Sequence, residues 1–352
     1  MIHISYDKQQ FKDENVPQLR LTTYKIPSVY SLLLLITFVI FNGCTQQEQT
    51  SSSNKETINI GRLICGGHLS LAVVENKYQQ DFPDFTLKTV QNHNWDDVIQ
   101  DMKSGKLAGT FILSPLAMQL IRQGMDAKIV MMADRNGNGF ILSKRYKSIE
   151  DLKGKRAIIA VPHLYSQHHV LLYLSLKQHD VPYSDVTVVA MPPRDMITSL
   201  SRGEIDGFVV GEPEGNRSVS LGKGWMAAIS PQIWENHMDH VFLASNTFIK
   251  EHPQQLQELM NSLKKAGNYI EKHPHEAAIM GEDYTGANAQ IFEQVLTTPA
   301  NWIDYSDMIP SDAHIQAMAK EMVAMGLWKG IPDNLNTYTD TSFIQKATAR
   351  HP

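Results

Sequence analysis

From Thr57 onward, short apolar segments of strand length alternate with segments of helical length, and this restricts the chain to a narrow class of architectures. INIGRLI, FTLKTV, GTFIL and AKIVMMA read as strands, with helices expected near 69–80, 96–104 and 114–123 between them. Asn94 and Ser114 stand at helix starts as cap residues, the latter followed by Pro115 at the first helical position. A second unit begins at Ser148: SIEDLKGKRAIIAV gives a short capped helix, a glycine turn and a strand, followed by a helix near 166–178 and the strand VTVVAM. VFLAS, after His240, reads as a return to the first unit, and helices are expected over 253–272, 274–284, 288–295 and 311–325. The fold class is therefore α/β with largely parallel strands. Lobe 1 is expected over 58–140 and 241–352 and lobe 2 over 141–240, leaving a cleft where ligands bind by default.

At 352 residues and 42% hydrophobic content the chain can bury a real core. Its 32 basic and 37 acidic residues give a net charge of -5 and no basic stripe, which argues against a nucleic-acid partner. Lys8, Lys12, Arg20 and Lys25 precede an apolar run from Val29 to Phe41 that ends in Asn42-Gly43-Cys44. Thirteen residues are too few to span a bilayer but suit a signal-peptide core. The run with its Gly-Cys end resembles a bacterial lipobox, which implies a signal peptide over 1–43, lipid attachment at Cys44 and a membrane-anchored protein facing the periplasm or cell exterior. Phe41 and Asn42 depart from that pattern, and an uncleaved anchor or soluble secretion stands as the alternative. Residues 44–57 are polar and read as a flexible tether. The only other cysteine, Cys65, reads as a small buried hydrophobe rather than a nucleophile.

Several positions carry candidate ligand chemistry. In PPRDMITSLSRGEIDGFVVGEPEGNR, residues 192–217, a helix stops at Arg202-Gly203 and a strand runs to Val210. Glu212 then sits at the carboxyl end of that strand, where open sheets build ligand sites, or is simply a solvated loop acid. Gly67-His68 opens the first helix, where backbone N–H groups meet a ligand or merely turn the chain. Asn136-Gly137-Asn138-Gly139 marks the crossover, from which Asn138 could put an amide into the cleft. His163, His168 and His169 cluster in sequence, but on a helix His168 and His169 stand about 100° apart and cannot both face one ion squarely. These histidines therefore read as surface or hinge residues. The sixteen methionines, with Trp225, Trp234, Trp302 and Trp328, read as packing residues.

DGFVVGEPEGNRSV, with MPPRDM before it and SPQIWENHMDH after it, resembles the solute-binding proteins of nitrate, bicarbonate, sulfonate and taurine ABC importers. HNWDDV, NGNGFILS and SIEDLKGKRAIIAV carry the same resemblance, which covers roughly residues 58–327 and is nearest to the nitrate- and bicarbonate-binding lipoproteins. It implies a type II periplasmic-binding-protein fold, a monomer that works with permease and ATPase subunits, and no enzymatic step. Carried over by position, it gives Trp95 as an indole donor, Asn138 in place of a Gln, and Ser166 or Gln167 in the segment that supplies a His or Thr. His169 completes a Ser-x-x-His pattern with Ser166. Glu235 falls where a nitrate binder has a cation and a bicarbonate binder a calcium-linked Glu. An ionised Glu235 would repel a bare anion, so the resemblance leaves open a calcium bridge, a proton-donating partner such as bicarbonate, or a neutral or cationic ligand. A sulfonate, taurine or thiamine-pyrimidine binder, or an enzyme of thiamine or menaquinone biosynthesis on the same fold, is the alternative.

Overall fold

The computed structural model describes residues 55–350; the expected signal segment, Cys44 and tether residues 44–54 lie outside the described residues. The strands are β1 (Glu56–Arg62), β2 (Phe85–Gln91), β3 (Gly109–Leu113), β4 (Ala127–Met132), β5 (Arg135–Asn136), β6 (Asn138–Leu142), β7 (Ala157–Val161), β8 (Val186–Ala190), β9 (Gly207–Gly211), β10 (Trp225–Ile229), β11 (His240–Ser245) and β12 (Ile303–Asp304). Two five-stranded sheets result, ordered β2-β1-β3-β11-β4 and β10-β6-β9-β7-β8. In the first, β1 runs parallel to β2 and β3, while β11 inserts antiparallel between β3 and β4. In the second, β7 runs parallel to β8 and β9, while β6 pairs antiparallel with β9 and β10. Residues 138–142 thus belong to the second sheet, and the return begins at His240.

The sheet centres are mostly apolar runs, interrupted by Thr110 in β3 and Asn138 in β6. β3, β6 and β9 are buried at every position, as strands covered on both faces must be. Helices 253–272, 289–297 and 342–350 cover one face of the first sheet, packing Leu259, Leu263, Phe292 and Ile344 around Phe111 and Phe242, whose rings meet edge-on at 5.4 Å. Helices 114–122 and 312–324 cover the other, with Met118, Met318 and Met322 against Ile112 and Ile129. The second sheet has its own core of Phe140, Leu142, Val161, Leu171 and Val209.

Two segments link the halves and are bonded to each other. Asn136 N–H donates to His237 O at 3.2 Å and Ala133 N–H to His240 O at 2.8 Å. Asn136 and Gly137 take left-handed backbone angles, φ 62° and 75°, to turn the chain sharply between sheets. Trp302 locks that turn, its carbonyl accepting from Gly137 N–H at 2.6 Å and its indole donating to Asn138 O at 3.2 Å.

Candidate functional site

The carboxyl ends of β1, β3 and β9, with the start of β11, surround a cavity of about 470 Å³. The first half contributes Leu63, Cys65, Trp95, Leu113 and His240; the second contributes Pro162, His168, Pro192, Val210 and Glu212. One backbone bond crosses directly between the walls, from Gly66 N–H to Glu212 O at 3.1 Å. A Cβ at residue 66 would lie 2.1 Å from that oxygen, so only glycine fits here. Tyr305 fixes the same loop by donating its hydroxyl to Gly66 O at 2.8 Å.

A chain of polar side chains adjoins the cavity. Cys65 Sγ lies 3.6 Å from His240 Nε2, and His240 Nδ1 lies 2.7 Å from Asp239 Oδ2. Asp239 also accepts from Asn138 Nδ2 at 2.9 Å and from Gln167 Nε2 at 2.5 Å. Burial alone would raise the Asp239 carboxyl, but His240, His168 and His237 hold it well below the ordinary range. Its neighbour Asp134 is pushed up to about 7 by burial and by repulsion from Asp239. Burial opposes a charge on His240 as well, yet Cys65, Asp239 and Asp134 outweigh it and hold the imidazole well above its usual value. The other two rings nearby go the opposite way. Burial, then His240, drives His68 well below its ordinary value, and burial takes His168 down to about 3. Both are neutral at pH 7. His68 Nε2, both nitrogens of His168 and Trp95 Nε1 are buried without a hydrogen-bond partner in the protein.

The residues picked from sequence fall into three groups. Trp95 and Glu212 line the cavity. Trp95 opens the helix Trp95–Lys103, which Asn94 caps by accepting from Asp97 N–H at 2.9 Å. The Glu212 carboxyl, however, serves the chain: Oε2 accepts from Asn216 N–H at 2.9 Å in the helix Glu214–Ser220, and Oε1 fits against Gly139 and Gly215, where a Cβ would come within 2.5 Å. Burial pushes this carboxyl up to about 8.

The second group adjoins the cavity without lining it. Gly67 passes so close to His240 that a Cβ would sit 2.5 Å from Nδ1. His68 stacks on Phe111 at 5.5 Å and meets His240 edge-on at 5.1 Å. Asn138 and Gln167 donate to Asp239 rather than into the cleft, because that buried carboxylate needs their N–H groups.

The third group is placed elsewhere. Ser166 is the N-cap of the helix Gln167–Gln178, accepting from His169 N–H at 3.1 Å, and His169 is held by Leu164 O and the Tyr183 hydroxyl. Glu235, expected to set the charge of the site or hold a metal, is exposed and away from the cavity. It lies in a surface turn, next to Asn236 at φ 57°, and the buried acid of that segment is Asp239.

Sequence reasoning missed Cys65, Asp134, His168, Asp239 and His240. His168 and His169 are buried rather than on the surface, and Cys65 faces the cavity instead of the core. The available signal was positional: Cys65 follows the first strand, and Asp239-His240 opens the returning strand, so both stand at strand ends that meet at the crossover.

The nitrate import ATP-binding protein NrtC of Synechocystis is 28% identical over 212 residues, covering 54% of this chain and 31% of that protein. The chain thus spans about a third of that relative's length. Among solved structures, the nitrate-binding protein NrtA from Synechocystis PCC 6803 matches with TM-score 0.76 and 16% identity, over 84% of this chain and 89% of that one. The ligand-binding component of an ABC-type import system from Staphylococcus aureus, solved with zinc bound, matches with TM-score 0.75 and 22% identity, over 83% and 99%. The desulfurization enzyme DSZB also shares the fold, at TM-score 0.64 and 12% identity over 85% and 100%. The fold is that of periplasmic binding proteins, and the model of the NMT1-like family matches residues 51–281, more than half of the sequence. The chain belongs to the NMT1-like family.

Proposed function

We propose that the protein is the solute-capturing component of an ABC importer and that its solute is a small organic molecule with an apolar body and an acceptor-bearing head, of the sulfonate class, rather than bare nitrate or bicarbonate. The observation that carries this reading is the character of the cavity. Polar residues such as Asn92, His163 and Glu214 are among its lining, but most of its wall surface is apolar, from Leu63, Leu113, Pro162, Met191, Pro192 and Val210, and its 470 Å³ is many times the ~30 Å³ that one water occupies in the liquid. An ion of four heavy atoms would leave most of it unfilled. Charge points the same way. The two arginines lining the cavity among the described residues, Arg194 and Arg217, have side chains 54% and 40% exposed, and Arg217 pairs with Glu214. Deeper in, the cation on His240 is matched by Asp239, which leaves no surplus positive charge to offset a dehydrated nitrate. A sulfonate head at the arginine rim, within reach of the Trp95 indole, with its tail on Leu63, Leu113 and Val210, meets both constraints.

Capture without turnover fits the import proteins among the relatives, and permease and ATPase subunits are the partners this role requires. No helix among the described residues is long and apolar enough to cross a membrane. The apolar run ending in Gly43-Cys44 supports anchoring through a lipid on Cys44, with the domain outside the cytoplasm. Thermal shifts against alkanesulfonates, taurine, nitrate and bicarbonate test the reading. A solute at 100 times its dissociation constant adds about 2.7 kcal/mol. Stabilisation by a sulfonate and none by nitrate is expected; saturable stabilisation by nitrate alone would refute it.

A further inference from the structure

We propose that Cys65, His68 and His240 form a binding site for a divalent ion of the zinc class, with its open coordination position in the solute cavity. The proposal rests on the geometry of these three residues alone and stands or falls apart from the capture function above.

The donor atoms of the three residues all lie within 4.8 Å of one another. A tetrahedral ion with bonds of about 2.3 Å to sulfur and 2.05 Å to nitrogen holds those two atoms roughly 3.5 Å apart. Cys65 Sγ and His240 Nε2 are 3.6 Å apart. Two imidazoles on one such ion have ring centroids about 5 Å apart. His68 and His240 are at 5.1 Å, with their planes at 86°. Spacing alone would be weak support, because sulfur and nitrogen also meet in ordinary contacts. Three further observations point to a ligand.

The outer groups come first. His240 Nδ1 lies 2.7 Å from Asp239 Oδ2, and His68 Nδ1 lies 3.1 Å from Leu63 O. The Asp239 carboxylate accepts the Nδ1 proton of His240, which leaves that residue's Nε2 as the coordinating nitrogen, the arrangement that orients metal-bound histidines; His68 Nδ1 faces both the N–H of Leu63, at 3.2 Å, and its carbonyl, and coordination through Nε2 takes the tautomer that donates to the carbonyl. Asp239 is itself fixed by Asn138 and Gln167. Next, His68 is fully buried and its Nε2 has no hydrogen-bond partner in the protein, a condition that buried polar atoms rarely tolerate. Finally, glycines leave room. A Cβ at Gly67 would lie 2.5 Å from His240 Nδ1, and one at Gly211 would lie 3.2 Å from Cys65 Sγ and 3.6 Å from His168 Nε2. His168, buried and unpartnered at both nitrogens, lines the same cavity outside the three-donor cluster and leaves the fourth position open.

The donor set selects the ion. One thiol and two imidazoles suit zinc and its neighbours, whereas calcium and magnesium require oxygen ligands. Asp134 and Asp239 also group with His240, but both carboxylates already hold that residue, through its backbone N–H at 3.1 Å and its Nδ1. They serve as outer support.

The test uses the full chain as Cys44→Ser, which leaves Cys65 as its one thiol, freed of metal and titrated with Co²⁺. Expected is one equivalent per chain, with a thiolate-to-cobalt charge-transfer band, the intense visible bands of a four-coordinate ion, and loss of both on adding Zn²⁺. Adding Cys65→Ser should abolish the charge-transfer band, His68→Gln should weaken binding, and Asp239→Asn should weaken it about 10–100-fold. If a variant fails to fold, the spectrum of the Cys44→Ser chain decides alone. Absence of the charge-transfer band, or equally tight binding without Cys65, overturns the proposal. So does rapid alkylation of Cys65 by iodoacetamide that Zn²⁺ does not slow, which would make Cys65, His240 and Asp239 a nucleophile and its base.

Discussion

Replacing Glu212 by Gln should change how stability depends on pH. The wild-type carboxyl holds its proton from an ordinary 4.5 up to about 8 because it is fully buried, with one N–H donor on Oε2 and none on Oε1. Between those two values the unfolded chain has released the proton while the folded chain keeps it. Stability must therefore fall as pH rises through that window, and the fall ends once the folded carboxyl ionises. At ~1.4 kcal/mol for each tenfold change in proton affinity, the window is worth roughly 5 kcal/mol, a large part of a typical folding free energy. Gln is isosteric, keeps an oxygen for Asn216 N–H and has no proton to lose. Urea denaturation of both proteins at pH 4.5, 6, 7 and 8 separates the effect from all other titrations, which cancel in the difference. At pH 4.5 the variant should be equal to wild type or about 1 kcal/mol weaker. By pH 8, where the folded carboxyl is itself half-ionised, it should have gained on wild type by about 4 kcal/mol. A difference that stays constant across the four values would refute the reasoning, because the carboxyl would then ionise alike in folded and unfolded chains.

Trp95→Phe deletes a buried indole N–H that has no protein partner, so stability should hold or rise by up to ~1 kcal/mol, while sulfonate affinity measured by calorimetry falls about tenfold. Ser166→Ala removes a helix cap and should cost about 1 kcal/mol in denaturant titrations with no change in solute affinity. Gly66→Ala forces a Cβ against Glu212 O and should cost about 1–3 kcal/mol and weaken solute binding, since the walls can no longer meet. Glu235→Ala, at an exposed position, should stay within ~0.5 kcal/mol and bind solute as wild type does.

The architecture was legible because burial on both faces writes itself into a strand: GFVVG carries no polar side chain, GTFIL only Thr110, and both are buried throughout. The returning strand VFLAS was legible for the same reason, and it inserts between β3 and β4. Site residues were harder to read, because capping and ligand donation use the same side chains. Ser166 carries the signature of both and the backbone claims it. Glu212 stands where a ligand acid should and instead closes the next helix. The Cys65 and His240 pair was out of reach, since 175 residues separate them and only the return of β11 brings them together. The acidic residue in WENHMDH was sought at Glu235, but periodicity in so short a segment does not say which acid turns inward. The two strands that flank the crossover decide in favour of Asp239.

The bond from Gly66 N–H to Glu212 O joins the two walls through main-chain atoms alone. No side-chain substitution at position 212 can delete the acceptor, and at position 66 the only requirement is the lack of a Cβ. Residues that line the cavity are therefore free to change in size, polarity and charge while the clasp beside them stays the same. A chain built this way separates the act of closing from the choice of what is enclosed. New solutes can be acquired by altering wall residues such as Leu63, Leu113 or Val210 without redesigning the closure itself.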